Sequence, residues 1–141
     1  MDIKDMFPVE RGVIRNVDEF RRILNFQGLR FGNITPTDID IFLEFGNTTF
    51  VIVEVKWIGA EIPFGQKLAL ERLAMATSIT IPTLLVIARH DCSGDGAVEI
   101  GECNILEVFI HKDGEWEWET WKHITLRSLI DLFNTLNGRV T

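Results

Sequence analysis

Asp38-Ile39-Asp40-Ile41-Phe42-Leu43-Glu44-Phe45, Gly46-Asn47-Thr48 and Thr49-Phe50-Val51-Ile52-Val53-Glu54-Val55-Lys56-Trp57 follow one another in the chain, and their pattern is that of a β-hairpin. The first run alternates with period two, the Gly-Asn pair supplies a turn, and the last run is rich in β-branched residues. Side chains two apart on a strand share a face. Glu54 and Lys56 therefore project together, with Val51, Val53, Val55 and Trp57 on the other face. On the partner strand Asp38 and Asp40 share one face and Ile39, Ile41, Leu43 and Phe45 the opposite one.

Register decides whether these charges meet, because a slip of one residue turns every side chain of a strand to the other face. A two-residue Gly46-Asn47 turn pairs Asp40 with Val53. A three-residue loop, Gly46-Asn47-Thr48, with Asn47 in the left-handed region, pairs Phe45 with Thr49 and sets Asp40 beside Glu54 and Asp38 beside Lys56. The longer loop is expected. It gathers three carboxylates and an ammonium in one patch, where the carboxylates repel one another unless a cation is bound. A hard divalent ion with oxygen ligands, Mg²⁺ with Mn²⁺ as a substitute, suits this set without histidine or thiolate.

Outward from the hairpin, Asn16 and Glu19 make a capping-box-like start to a first helix over about 17 to 27. After the hairpin, Pro63 opens a segment whose Leu68, Leu70, Leu73, Ala74 and Ala76 predict a largely buried helix to about Ser78. Thr83-Leu84-Leu85-Val86-Ile87-Ala88 reads as a central strand covered on both faces. Two more strands are expected at 98 to 111 and 115 to 121, joined by Lys112-Asp113-Gly114. Thr125 caps a last helix with the stripe Leu126, Leu129, Ile130, Phe133, Leu136, and Gly138 marks its stop. The order describes an α/β domain with a mixed sheet.

With 46% apolar residues among 141 and no repeat or Pro/Ser-rich linker, one domain over residues 1–141 is expected. No apolar run reaches the roughly 18 residues that span a bilayer, and Met1-Asp2-Ile3-Lys4-Asp5-Met6 lacks a secretory layout, so a cytoplasmic protein with no membrane partner is expected. The two cysteines, Cys92 and Cys103, form no Cys-x-x-Cys motif, which removes a disulfide scaffold and a structural zinc module. A net charge of −7 argues against nonspecific coating of nucleic acid. The charge is uneven: residues 1 to 35 carry six Lys/Arg against five acids, and the excess of acid lies beyond them.

Asp40, then 13 residues, then Glu54-Val55-Lys56, on a hairpin between two helices and followed by Gln66 in the second, resembles the PD-(D/E)XK nucleases of the restriction-endonuclease-like fold. The wording Thr35-Pro36-Thr37-Asp38-Ile39-Asp40 with Gly65-Gln66-Lys67 is similar to small phage and bacterial nucleases of that superfamily. The resemblance implies a three-layer domain, an α-β-β-α-β core with extra strands and a C-terminal helix. It implies that Asp40 and Glu54 bind Mg²⁺ with the Val55 carbonyl as a further ligand, that Lys56 holds the attacking water, and that Gln66 orients a phosphate or Lys56. Lys67, Arg21 and Arg22 would contact the nucleic-acid backbone, DNA in the first instance. Pro36 stands two residues before Asp38 and four before Asp40, which leaves either aspartate as the metal acid. Leu70 stands where one version of the downstream motif has tyrosine, and the chain contains no tyrosine.

The plainer readings are these. A Glu-x-Lys pair on an edge strand is ordinarily a solvated face; inside an apolar strand it is costly unless paired or functional. Glu61 and Glu19 read as a solvent-facing acid and a helix cap, His90 as a polar strand end, and Trp116 and Trp118 as core or edge cover. A catalytically inactive nuclease-fold module, or an acidic protein engaging a basic partner, would carry the same composition. A domain this small and acidic is expected to need a dimer or a larger complex to grip nucleic acid.

Overall fold

In the computed structural model, which describes residues 25–57, 59–90 and 98–138, the hairpin consists of β1 (Ile41–Phe45) and β2 (Thr49–Trp57). Gly46 and Asn47 both take positive φ, 55° and 62°, and the Thr48 N–H donates to the Phe45 carbonyl at 3.0 Å. Glycine and asparagine enter that left-handed region at the lowest cost, so the turn chemistry fixes the loop. The Glu44 carboxylate also accepts from the Asn47 N–H. Phe45 pairs with Thr49 and Ile41 with Val53, the register of the three-residue loop.

From the turn the chain builds a five-stranded mixed sheet in the order β1-β2-β3-β4-β5, with β3 Thr83–His90, β4 Asn104–Lys112 and β5 Glu115–Glu119. The β2–β3 pair is parallel and the others antiparallel. Helix α1 (Phe64–Ser78) supplies the crossover between the parallel strands. Helix α2 (Leu126–Leu136) closes the chain's described part, its N-cap Thr125 accepting from the Ser128 N–H at 3.2 Å. Gly138, just beyond, has φ 81°. Asp113 and Gly114 turn β4 into β5 with positive φ, as that pair predicts.

The sheet has an apolar cluster on each face. Val51, Val53, Leu84, Val86, Ala88, Ile105 and Val108 pack with Leu126, Leu129 and Ile130 of α2. Ile52, Leu85 and Phe109 pack with Leu70 and Ala74 of α1. The domain is thus α/β in three layers, with β3 as the buried middle strand. Among the described residues no helix is long and apolar enough to cross a membrane.

Several helix and strand boundaries differ from the sequence reading. Helix α1 is not largely buried: Leu70 and Ala74 alone are fully covered, while Phe64 and Leu73 face solvent. Its leucines are spread around the axis instead of recurring on one face, so no broad stripe can dock. Residues 98 to 103 are not strand; a 3-10 turn, Ile100–Glu102, precedes β4. The last strand ends at Glu119, two residues early. The chain divides after Pro36, and the sheet and both helices belong to the second unit. In the first, the described residues form a 3-10 turn, Gln27–Leu29, and a bridge between Phe31 and Ile34. Most of the expected first helix, with Glu19, Arg21 and Arg22, lies outside the described residues, as does Cys92.

Candidate metal-dependent hydrolytic site

Where β2 outruns β1, its edge backbone is open, and this places the site. The last β1 pair is Ile41 with Val53, so Val55 has no β1 residue opposite it. Asp40, one residue before β1, fills the gap: its Oδ2 accepts from the Val55 N–H at 2.8 Å. A strand residue turns its N–H and C=O to the same edge, so Val55 offers its carbonyl on the side where Asp40 sits.

Glu54 lies on the α1 face of β2, two residues beyond the core residue Ile52, and is 2% exposed. Its Oε1 accepts from Gln66 Nε2 at 2.8 Å and lies 3.3 Å from Lys56 Nζ. Its Oε2 is buried and has no hydrogen-bond partner. Gln66 is delivered by the first turn of α1, which begins at the Pro63 carbonyl with the bond from the Lys67 N–H. Burial first, and the nearby Asp40 charge second, hold the Glu54 carboxyl above the ordinary carboxylate range; Lys56 and Gln66 pull it back in part.

The structure therefore brings together Asp40, Glu54, Lys56, Gln66 and the Val55 backbone. Asp38 does not join them as a third acid: it is exposed in the segment ahead of β1, and among the described residues no group of three or more His, Cys, Asp or Glu converges. The alternation that paired Asp38 with Lys56 assumed that pairing continued below Ile41, where β1 in fact begins. Lys67 is committed elsewhere, lying 3.4 Å from Glu107 Oε2 and 4.5 Å above the Trp118 ring. Trp118 donates to Glu71, and with Trp116 it stacks on Phe109, so both are cover for the sheet. The His90 ring lies against Trp57, 3.8 Å between centroids.

Beside Lys56 a pocket of about 270 Å³ is lined by Lys56, Lys67, Glu61 and Glu107 over an apolar floor that includes Ile87. Glu54, Ile87 and Glu107 are register partners on three adjacent strands, which is why the pocket adjoins the carboxylate. Glu107 was not legible as a site neighbour, since only the sheet order brings it there; Glu61, weighed as an outer-shell acid and read as solvent-facing, lines the pocket. A larger apolar pocket of about 530 Å³, lined by Leu84, Trp116, Leu129 and Phe133 among others, contains none of the site residues. Compared with family models, with curated proteins and with solved structures, the chain matches none.

Proposed function

We propose that this chain hydrolyses phosphodiester bonds of nucleic acid, DNA in the first instance, with a divalent metal ion, in the manner of the PD-(D/E)XK nucleases its hairpin resembles. The observation that carries the reading is Glu54: one oxygen is held by Gln66 and Lys56, and the other is buried without a partner close to a second carboxylate. Such a group has room for a further cation, since a buried carboxylate oxygen left without a partner is costly and Lys56 meets only the other oxygen. Asp40, Glu54 Oε2 and the Val55 carbonyl are hard oxygen donors and fit Mg²⁺ or Mn²⁺; a site with one or two carboxylates, completed by water and substrate oxygens, is the usual one for Mg²⁺.

A bound ion would supply Lewis-acid polarisation of the phosphoryl oxygen and lower the pKa of water. The protein's own groups do the rest. Gln66 fixes the Glu54 rotamer by holding Oε1, which leaves Oε2 as the donor. The Lys56 ammonium, only partly exposed, borders the 270 Å³ pocket, where it can hold a water and offset charge on a phosphoryl group. Pairing with Glu54 keeps that ammonium in place.

Calorimetric titration with Mn²⁺ and a plasmid-cleavage assay in Mg²⁺ test this. Binding and cleavage are expected for the wild type and lost in Glu54→Ala; Lys56→Ala keeps Mn²⁺ binding and loses cleavage. Cleavage persisting in both variants refutes the assignment. Mn²⁺ binding with no cleavage of plasmid, linear, single-stranded or branched DNA identifies an inactive module.

A further inference from the structure

At the same end of the sheet a second pocket, of about 210 Å³, lies on the far side of a β-bulge. The pairing of β3 with β4 jumps from Ile87–Glu107 to Ala88–Ile105, which leaves Leu106 unpaired. Leu106 borders both pockets, so the bulge is their common wall. The outer wall is the loop from Thr120 to His123. The chain leaves β5 at Glu119 and rejoins the sheet through Ile105 N–H to Ile124 O at 3.1 Å and Leu126 N–H to Cys103 O at 2.8 Å. Arg89, Lys122 and His123 line the cavity with Asn104, Thr120 and the apolar Ile105, Leu106 and Trp121, and among the described residues none that lines it is acidic. Residues 36 to 141 carry 16 acids against eight Lys/Arg, so a pocket whose described lining has two cations and no acid inverts the domain's charge locally. Among the described residues neither Arg89 nor Lys122 makes an ion pair, whereas Lys56, Lys67, Lys112 and Arg127 all do.

Arg89 is the register partner of Lys56 on the neighbouring parallel strand, so the two side chains leave the sheet on one face, about 4.8 Å apart at the backbone. The geometry points to a second phosphate-binding pocket, in which Arg89 and Lys122, with donors from Asn104, Thr120 and His123, hold a phosphodiester of the same strand whose neighbouring phosphate lies at Lys56. This rests on the nucleic-acid reading of the site. Arg89 provides a planar fork for two phosphate oxygens, and Lys122 adds a point charge from the loop. The pocket would fix the direction in which a strand crosses the carboxylate pair, and it supplies backbone contact without base readout.

The test is binding without metal. A labelled single-stranded oligonucleotide is titrated with the full chain in EDTA across a salt series and followed by anisotropy. Arg89→Ala/Lys122→Ala is expected to bind at least tenfold more weakly at low salt, with the log–log salt slope shallower by about 1.4, two charges at 0.7 each. Arg89→Lys/Lys122→Arg keeps both charges and is expected to stay within a few-fold of wild type. Lys112→Ala, at the opposite end of β4, is expected to stay within about twofold. Equal affinity and slope for the alanine pair and the wild type overturn the proposal. So does displacement of the oligonucleotide by inorganic phosphate at equal concentration, which would mark a free-anion site. Because no cleavage is read, failure of the hydrolytic assignment leaves this result standing, and the reverse also holds.

Discussion

Replacing Glu54 by glutamine removes one charge, keeps the shape, and sets stability against function. In the metal-free protein the carboxylate is 2% exposed, one oxygen is without a partner, and the Asp40 charge opposes ionisation. Leaving a buried group unsatisfied costs about 1–3 kcal/mol, more for an ion. The amide oxygen still accepts from Gln66, and the neutral amide removes the repulsion from the Asp40 charge. The loss is the ion pair to Lys56, whose side chain is 21% exposed and can turn to water, worth about 1 kcal/mol at most. Glu54→Gln is therefore expected to stabilise the metal-free protein by about 1–2 kcal/mol, raising Tm in EDTA by roughly 3–10 °C for a chain of this size. With Mn²⁺ at a hundred times its Kd, the wild type gains about 2.7 kcal/mol and overtakes the variant, which gains nothing. Thermal unfolding by calorimetry in EDTA and in MnCl₂ measures both. A variant less stable than wild type in EDTA, or stabilised equally by Mn²⁺, refutes the account of Glu54 as an acid awaiting a cation.

Stability against pH carries the same sign. A carboxyl raised in the folded state contributes stability that is full below its unfolded pKa and lost as pH rises through its folded pKa, so the advantage of Glu54→Gln in EDTA grows with pH and vanishes in acid, as paired melts across pH would show. Asp40→Asn keeps an acceptor for the Val55 N–H but removes the charge; Mn²⁺ affinity by calorimetry is expected to fall at least tenfold, while Asp38→Asn stays within about twofold. Gln66→Ala strips the second partner from Glu54 Oε1 and should cost about 1–3 kcal/mol by urea unfolding. Gly46→Ala forces a Cβ into φ 55° and should cost about 1 kcal/mol by the same assay, with metal binding retained if the register holds.

The hairpin and its charges were legible because local chemistry determines them. Gly46 and Asn47 supply the left-handed turn, and the three-residue loop sets the register from which Asp40, Glu54 and Lys56 follow. What was not legible depends on where elements stop or on which strands become neighbours. The end of β1 at Ile41 turns Asp40 from a strand side chain into a cap on the Val55 N–H and leaves Asp38 outside. Lys67 meets Glu107 forty residues away only because β3 pairs with β4 in a given register, and the bulge at Leu106 has no glycine to announce it. The scattered leucines of α1 promised burial by composition, yet direction around the helix axis, and not apolar count, decides what is covered.

Burial alone does not single out Glu54, since other polar atoms in this fold are also left without partners. Among the described residues they are Ser78 Oγ, His90 Nδ1 and Asn134 Nδ2, in addition to Glu54 Oε2. The first three belong to a hydroxyl, an imidazole and an amide. Asn134 shows how such a group is retained for structure: its Oδ1 accepts from Thr49 Oγ1 at 2.6 Å and ties α2 to the start of β2, so one unmet donor is offset by a buried bond. Glu54, nearer the other end of the same strand, ties α1 to β2 through Gln66 in the same way, but that bond does not require a charge. Its partners, Gln66 and Lys56, both engage one oxygen, and a glutamine could keep the Gln66 bond without the charge or the repulsion from Asp40. A neutral orphan costs a kcal/mol or so and can persist as a by-product of packing; an ionised one next to a like charge costs more, and folding alone gives no reason to keep it. The geometry is compensated when a proton or a metal cation meets the partnerless oxygen, and a bound divalent ion would do so while leaving the carboxylate charged.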